Sequence, residues 1–235
     1  MDRNRLCLVL CLCGCHLSPV TTPSFDTGRA IGNYSGNFGK GIVYLAVNYA
    51  NSDIVSGFDY HRGVRRNLNG TAVLRGDHLE LTLREPGDNG QDGTFILEMD
   101  TVMKSIQGKW TPLHRGDDRE VSLSQVQDSD FSRGWAEDTP HDDALLQFEK
   151  NGYCEYRMST TSQYESTEPD KIIRGTYLWK DGKFTVEWER NDVLPAGLMV
   201  LTSKPAPPYQ PGREPEPYDS LKGGGFTFHL PPAAG

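Results

Sequence analysis

Three things are scarce in this 235-residue chain: cysteine beyond residue 15, long apolar runs, and positive charge. Past Cys15 the one cysteine is Cys154, so no internal disulfide framework can staple the body, which must rely on its core. No run approaches the roughly 20 apolar residues that a bilayer-spanning helix requires. Lys and Arg number 24 against 32 Asp and Glu, a net charge of −8. That balance disfavours nucleic acid and anionic bilayers, whose phosphates are neutralised by clustered Lys and Arg, and no nucleic-acid partner is expected. Catalytic signatures are missing as well. There is no Gly-x-Ser-x-Gly elbow, no glycine loop followed by Gly-Lys-Ser/Thr and no EF-hand spacing. The histidines at 16, 61, 78, 114, 141 and 229 have no zinc-site spacing, and no metal or other cofactor is expected.

What is present begins with an address. Arg3 and Arg5 precede the apolar run Leu6 to Gly14, the length of an export signal's hydrophobic region. Its end, Leu12-Cys13-Gly14-Cys15, resembles the lipobox of bacterial lipoproteins. The resemblance covers residues 1–15 only. It implies cleavage after Gly14, a diacylglycerol thioether on Cys15 and an acylated amino terminus; His16 implies the outer membrane rather than inner-membrane retention. More than one acyl chain makes such anchoring stable. Removal of residues 1–14 leaves 22 basic and 31 acidic residues, a charge of about −9. Residues 15–33, with Pro19 and Pro23, read as a flexible tether.

The body reads as all-β, an antiparallel meander closing into a barrel or sandwich, with two packed β halves the preferred arrangement. Residues 34–126 form the first half. Val43, Leu45, Val47 and Tyr49 alternate with other residues, as do Ile54 to Tyr60 after an Asn51-Ser52-Asp53 turn, and Leu79, Leu81 and Leu83 between Glu80, Thr82 and Arg84. Gly93–Met99, Ser105–Trp110 and Arg119–Val126 follow, giving six or seven strands. Residues 127–143 are acidic and broken, a linker or surface loop. In the second half, 144–230, Asn151-Gly152 and Asp181-Gly182 mark two-residue hairpin turns. Further strands are expected at Gly197–Ser203 and Gly225–Leu230, separated by a proline-rich crossing from Pro205 to Pro217. Asn69-Gly70 reads as a turn. In shape alone the pattern resembles lipocalin and calycin barrels, without a lipocalin signature.

Three functional expectations follow. The first is binding or scaffolding in the cell envelope without covalent chemistry, toward an envelope protein or a small apolar or sugar ligand. His61, Arg62, Arg65 and Arg66, the one basic cluster, are candidate anion contacts or a hairpin tip kept soluble by charge. The second is a hydrolase using carboxylates of the acidic middle segment, Asp138, Asp142 and Asp143, with His141 and a serine such as Ser129 or Ser132 in reach of a triad only if the fold brings them together. The third is a small-ligand carrier with an aromatic cup around Trp179, Trp188 and Tyr177, residue types that in strands also build cores.

Overall fold

The computed structural model describes residues 27–51, 53–87, 90–100, 102, 104–126, 133–137, 144–158, 171–205 and 219–230. After a 3-10 turn at Thr27–Ala30, eight strands follow: β1 Gly32–Phe38, β2 Gly41–Ala50, β3 Val55–His61, β4 Val64–Arg75, β5 His78–Arg84, β6 Gly93–Asp100, β7 Ser105–Pro112 and β8 Arg119–Gln125. Each pairs antiparallel with the next, and β1 pairs with β8 to close the ring. The second ring comprises β9 Arg133–Glu137, β10 Ala144–Phe148, β11 Tyr153–Met158, β12 Lys171–Lys180, β13 Lys183–Trp188, β14 Leu198–Lys204, β15 Ser220–Gly223 and β16 Phe226–His229. It is also an antiparallel meander, closed by two residue pairs between β16 and β9. No helix among the described residues is long and apolar enough to cross a membrane.

Alternation places one residue of every two inside each ring. The first interior is filled by Tyr34, Leu45, Leu68, Leu79, Leu81, Leu83, Phe95, Leu97 and Leu123, all at most 2% exposed. The second is filled by Leu146, Phe148, Tyr156, Phe184, Leu201 and Phe228. Eight strands leave a lumen just wide enough for such packing. Apolar interiors with Glu80, Thr82 and Glu98 facing outward on β5 and β6 are the reverse of a membrane barrel's pattern.

The two rings pack through β2. Its residues Ile42 to Val47 are all buried, with Val43, Leu45 and Val47 in the first core and Ile42, Tyr44 and Ala46 on the opposite face. That outer face meets β12 and β13, and Tyr60 of β3 meets Tyr153 of β11 at 5.5 Å between ring centroids. An uninterrupted apolar run is what a strand covered on both faces requires.

The tip of the β3–β4 hairpin fixes this packing. Arg62 and Gly63 both have positive φ, the geometry of a two-residue hairpin turn. The Gly63 amide donates to Thr176 Oγ1 at 3.0 Å, and a Cβ at Gly63 would lie 2.5 Å from the Arg174 Cβ and 2.6 Å from the Gly175 nitrogen. Gly63→Ala is therefore expected to lower stability by about 1–3 kcal/mol, through both φ strain and collision. Gly182, with a similar φ in its own hairpin, has open space where a Cβ would go. Urea unfolding of Gly182→Ala should show a smaller loss; equal losses would remove the inter-barrel contact from the account.

Several expectations differ in detail from the fold. Ordered structure is described from Thr27, within the expected tether, with the Tyr34 hydroxyl donating to the Ala30 carbonyl. Asn69-Gly70 lies in the middle of the twelve-residue β4, not in a turn. Asn151-Gly152 belongs to a three-residue loop, because Phe148 pairs with Cys154 so that both enter the core. Asp181-Gly182 is the two-residue turn expected. β9 falls inside the expected acidic linker, and β15 adds a strand before the last one. Residues 206–218, which include most of the proline-rich crossing, lie outside the described residues, as do Cys15 and the rest of 1–26.

Candidate functional site

Inside the first barrel, the inward rows change chemistry at one end. On β5 the row Leu79, Leu81, Leu83 is continued by Glu85; on β8 Leu123 and Val121 give way to Arg119; on β4 Leu68 is followed toward the mouth by Arg66; on β3 Val55 and Gly57 lead to Asp59 and His61. Phe38 and Trp110 complete the layer. Above it opens a cleft of about 460 Å³ that also reaches Arg115 and Asp117 after β7 and Glu189 and Arg190 after β13 of the second barrel. Such a volume is that of a small-molecule site.

The floor is a buried charge cluster. Asp59 is 1%, Glu85 3% and Asp92 3% exposed. Glu85 Oε2 accepts from Trp110 Nε1 at 3.0 Å and from the Gly93 amide. Arg66 Nε lies 3.4 Å from Asp92 Oδ1 and 3.7 Å from Glu85 Oε1, ion-pair distances without a hydrogen bond on that nitrogen. Asp59 Oδ1 likewise has no hydrogen-bond partner. Burial pushes the Asp59 carboxyl well above the ordinary range, and the neighbouring Glu85 carboxyl, by charge and by a hydrogen bond, pushes it further; Arg66 offsets only part. Glu85 is raised too, mainly by burial, against the lowering effects of Trp110, Arg66 and the Gly93 amide. Each of the two carboxyls makes ionisation of the other harder in one dry site.

Arg119 forms the wall. Its guanidinium stacks 4.8 Å above the Phe38 ring and 5.2 Å from the Trp110 ring, and no carboxylate among the described residues is in ion-pair distance. Burial and then the positive charge of Arg62 lower its proton affinity. His61 stands edge-on to Phe38 at 4.9 Å; burial lowers its pKa, so it is neutral at pH 7.

A second charged group joins the barrels beside this cleft. Glu187, 3% exposed on β13, accepts from the Ile42 amide at 2.8 Å and from Arg62 Nε at 2.7 Å, with His61 Nε2 at 3.8 Å. Burial alone would raise its pKa, but the nearby His61 ring and the hydrogen bonds from the Ile42 amide and Arg62 outweigh it and bring the pKa down to about 2.

Of the basic cluster read from the sequence, His61, Arg62 and Arg66 line the cleft. Arg65 faces outward, over the Phe58 ring at 4.4 Å and bonded to Asn67. Tyr177, Trp179 and Trp188 lie in or against the second core: Tyr177 bonds the Glu149 carbonyl, Trp188 Nε1 donates to the Met199 sulfur at 3.4 Å, and Trp179 packs 4.4 Å from Phe184. Cys154 is buried in the same core, where burial raises its thiol pKa. Ser129, Ser132, Asp138, His141, Asp142 and Asp143 fall outside the described residues. Sequence reasoning missed Asp59, Glu85 and Arg119. The available signal was an apolar row of period two that continues into a charged residue at one end of each strand.

No family model, curated protein or solved structure matches the chain.

Proposed function

We propose that this chain is a lipid-anchored binding protein of the bacterial cell envelope, held through Cys15 to the outer membrane, with its ligand in the mouth of the first barrel. One observation carries the reading: a buried Asp59 oxygen and a buried Arg66 nitrogen, each without a hydrogen bond, both on residues that line a 460 Å³ cleft. A buried polar atom without a partner costs about 1–3 kcal/mol, which folding alone does not repay. A ligand that pairs with these atoms recovers that cost. The lipobox-like Leu12-Cys13-Gly14-Cys15 supports the address, and the polar outward residues of β5 are compatible with a body held in water on a tether.

Mass spectrometry of the protein extracted from its native membrane in mild detergent, under native and then denaturing conditions, tests both halves. The expected result is a chain beginning at Cys15 with diacylglycerol and acyl additions, and a further small mass lost on denaturation. A chain starting elsewhere without lipid refutes the anchor. Anchored chain with no retained mass favours scaffolding.

A further inference from the structure

The cleft's polar groups narrow the kind of ligand, given the binding reading above. We infer that the cleft takes a small organic carboxylate that also carries a hydrogen-bond donor, the carboxylate lying on Arg119 and the donor meeting Asp59 Oδ1.

Three observations lead there. Arg119 is a half-buried guanidinium stacked on Phe38 and Trp110, with no carboxylate among the described residues in ion-pair distance. The guanidiniums of Arg62 and Arg66 are near enough to add to its positive field, and Glu187 and Glu85 are the acids that answer it. Stacking leaves the N–H edge of a planar guanidinium free, and that edge matches the two oxygens of a carboxylate. Asp59 Oδ1 is an acceptor without a donor on a residue 1% exposed. A hydroxyl or ammonium group of the ligand supplies one.

The floor also selects against alternatives. Buried Glu85 and Asp92 beside Arg66 repel a dianion at the floor, whereas Arg62, Arg115 and Arg190 in the lining attract one, so phosphate is the alternative that the test must separate. A neutral sugar would leave Arg119 without a counter-charge, and an apolar ligand would leave both Arg119 and Asp59 unpaired.

The test is calorimetric titration of the full processed protein in detergent with five probes: glycerate and alanine, which carry both groups; acetate, which lacks the donor; inorganic phosphate; and glucose. Glycerate or alanine is expected to bind one-to-one, at least about tenfold more tightly than acetate, a ratio equal to one good hydrogen bond. Arg119→Gln should weaken that binding by about tenfold or more, and Arg119→Lys should recover only part, because it restores charge without the fork. Asp59→Asn should reduce the preference over acetate. Thermal unfolding of each variant confirms that it is folded.

Binding of phosphate or glucose with no response to glycerate or alanine overturns the carboxylate inference and leaves the cleft as the site. So does a mass retained in the native spectrum that lacks a carboxyl group. No response to any probe, together with no retained mass, overturns the inference and the binding reading together.

Discussion

Glu187→Ala is expected to lower the stability of the whole chain by about 2–3 kcal/mol at pH 7. The substitution strips the acceptor from the Ile42 amide and from Arg62 Nε, and it removes the link that ties β13 to the start of β2 and the tip of the β3–β4 hairpin. Breaking a fully buried ion pair costs about 3–5 kcal/mol. The lower figure applies because the Arg62 side chain is 54% exposed and regains water, while Ile42 does not. Glu187→Gln keeps one acceptor for Ile42 and should cost about half as much. The pH dependence has a definite sign. The folded pKa, about 2, is below the ordinary 4.5, so the contribution is fully present above pH 4.5 and fades as pH falls toward 2. Urea unfolding at pH 7 and at pH 3 should show the gap between wild type and Glu187→Ala narrowing on acidification. Equal midpoints at pH 7 would mean that the barrels do not depend on this carboxylate.

Asp59→Asn has the opposite sign. Here the folded pKa is raised, so the folded chain binds its proton more tightly than the unfolded one. The stability that Asp59 contributes is complete below its ordinary pKa of 3.8 and is lost as pH rises through the folded value. Asparagine keeps the shape, needs no proton and can donate to Glu85. The variant should exceed wild type by about 1–2 kcal/mol at pH 8, the order of a single stabilising substitution, and by much less at pH 3.5. For a cooperative unit of the chain's 235 residues, that amounts to a melting shift of roughly 2–8 °C at pH 8. A variant less stable than wild type at pH 8 would make Asp59 a structural group rather than one kept for binding. The pair of results would separate the two charged clusters: a loss at Glu187 marks a group that supports the fold, and a gain at Asp59 marks one that burdens it.

The division of the sequence into strands followed the strength of the inward pattern. β5 was readable residue for residue, because Leu79, Leu81 and Leu83 alternate with Glu80, Thr82 and Arg84 along its whole length. β4 was not, and the reason is its polar make-up. Its inward positions run from Ala72 and Leu68 through Gly70 to Arg66, and its outward ones include Arg65, Asn67 and Asn69, so a search for alternating apolar residues sees a polar loop. The Ile42 to Val47 run showed only its Val43, Leu45 and Val47 phase; the intervening Ile42, Tyr44 and Ala46, which mark the inter-barrel contact, gave the fuller signal. Short strands such as β15, four residues long, lack the length for any period to show. Of the site, His61, Arg62 and Arg66 were visible as a cluster in one stretch of chain. Asp59, Trp110 and Arg119 lie on separate strands and Glu85 follows a fourth, and only closure of the ring brings them together.

The indole N–H resonance of Trp110 offers the most direct measurement, because its Nε1 donates to Glu85 on the cleft floor. In the full processed chain labelled with nitrogen-15, the indole signals are assigned by Trp→Phe variants and followed while the small-molecule extract of the native envelope is added. The account predicts a saturable shift of the Trp110 signal, with the Trp188 signal, whose N–H is held by Met199 inside the second barrel, unmoved. Movement of Trp188 or Trp179 without Trp110 would place the ligand in the second barrel and contradict it.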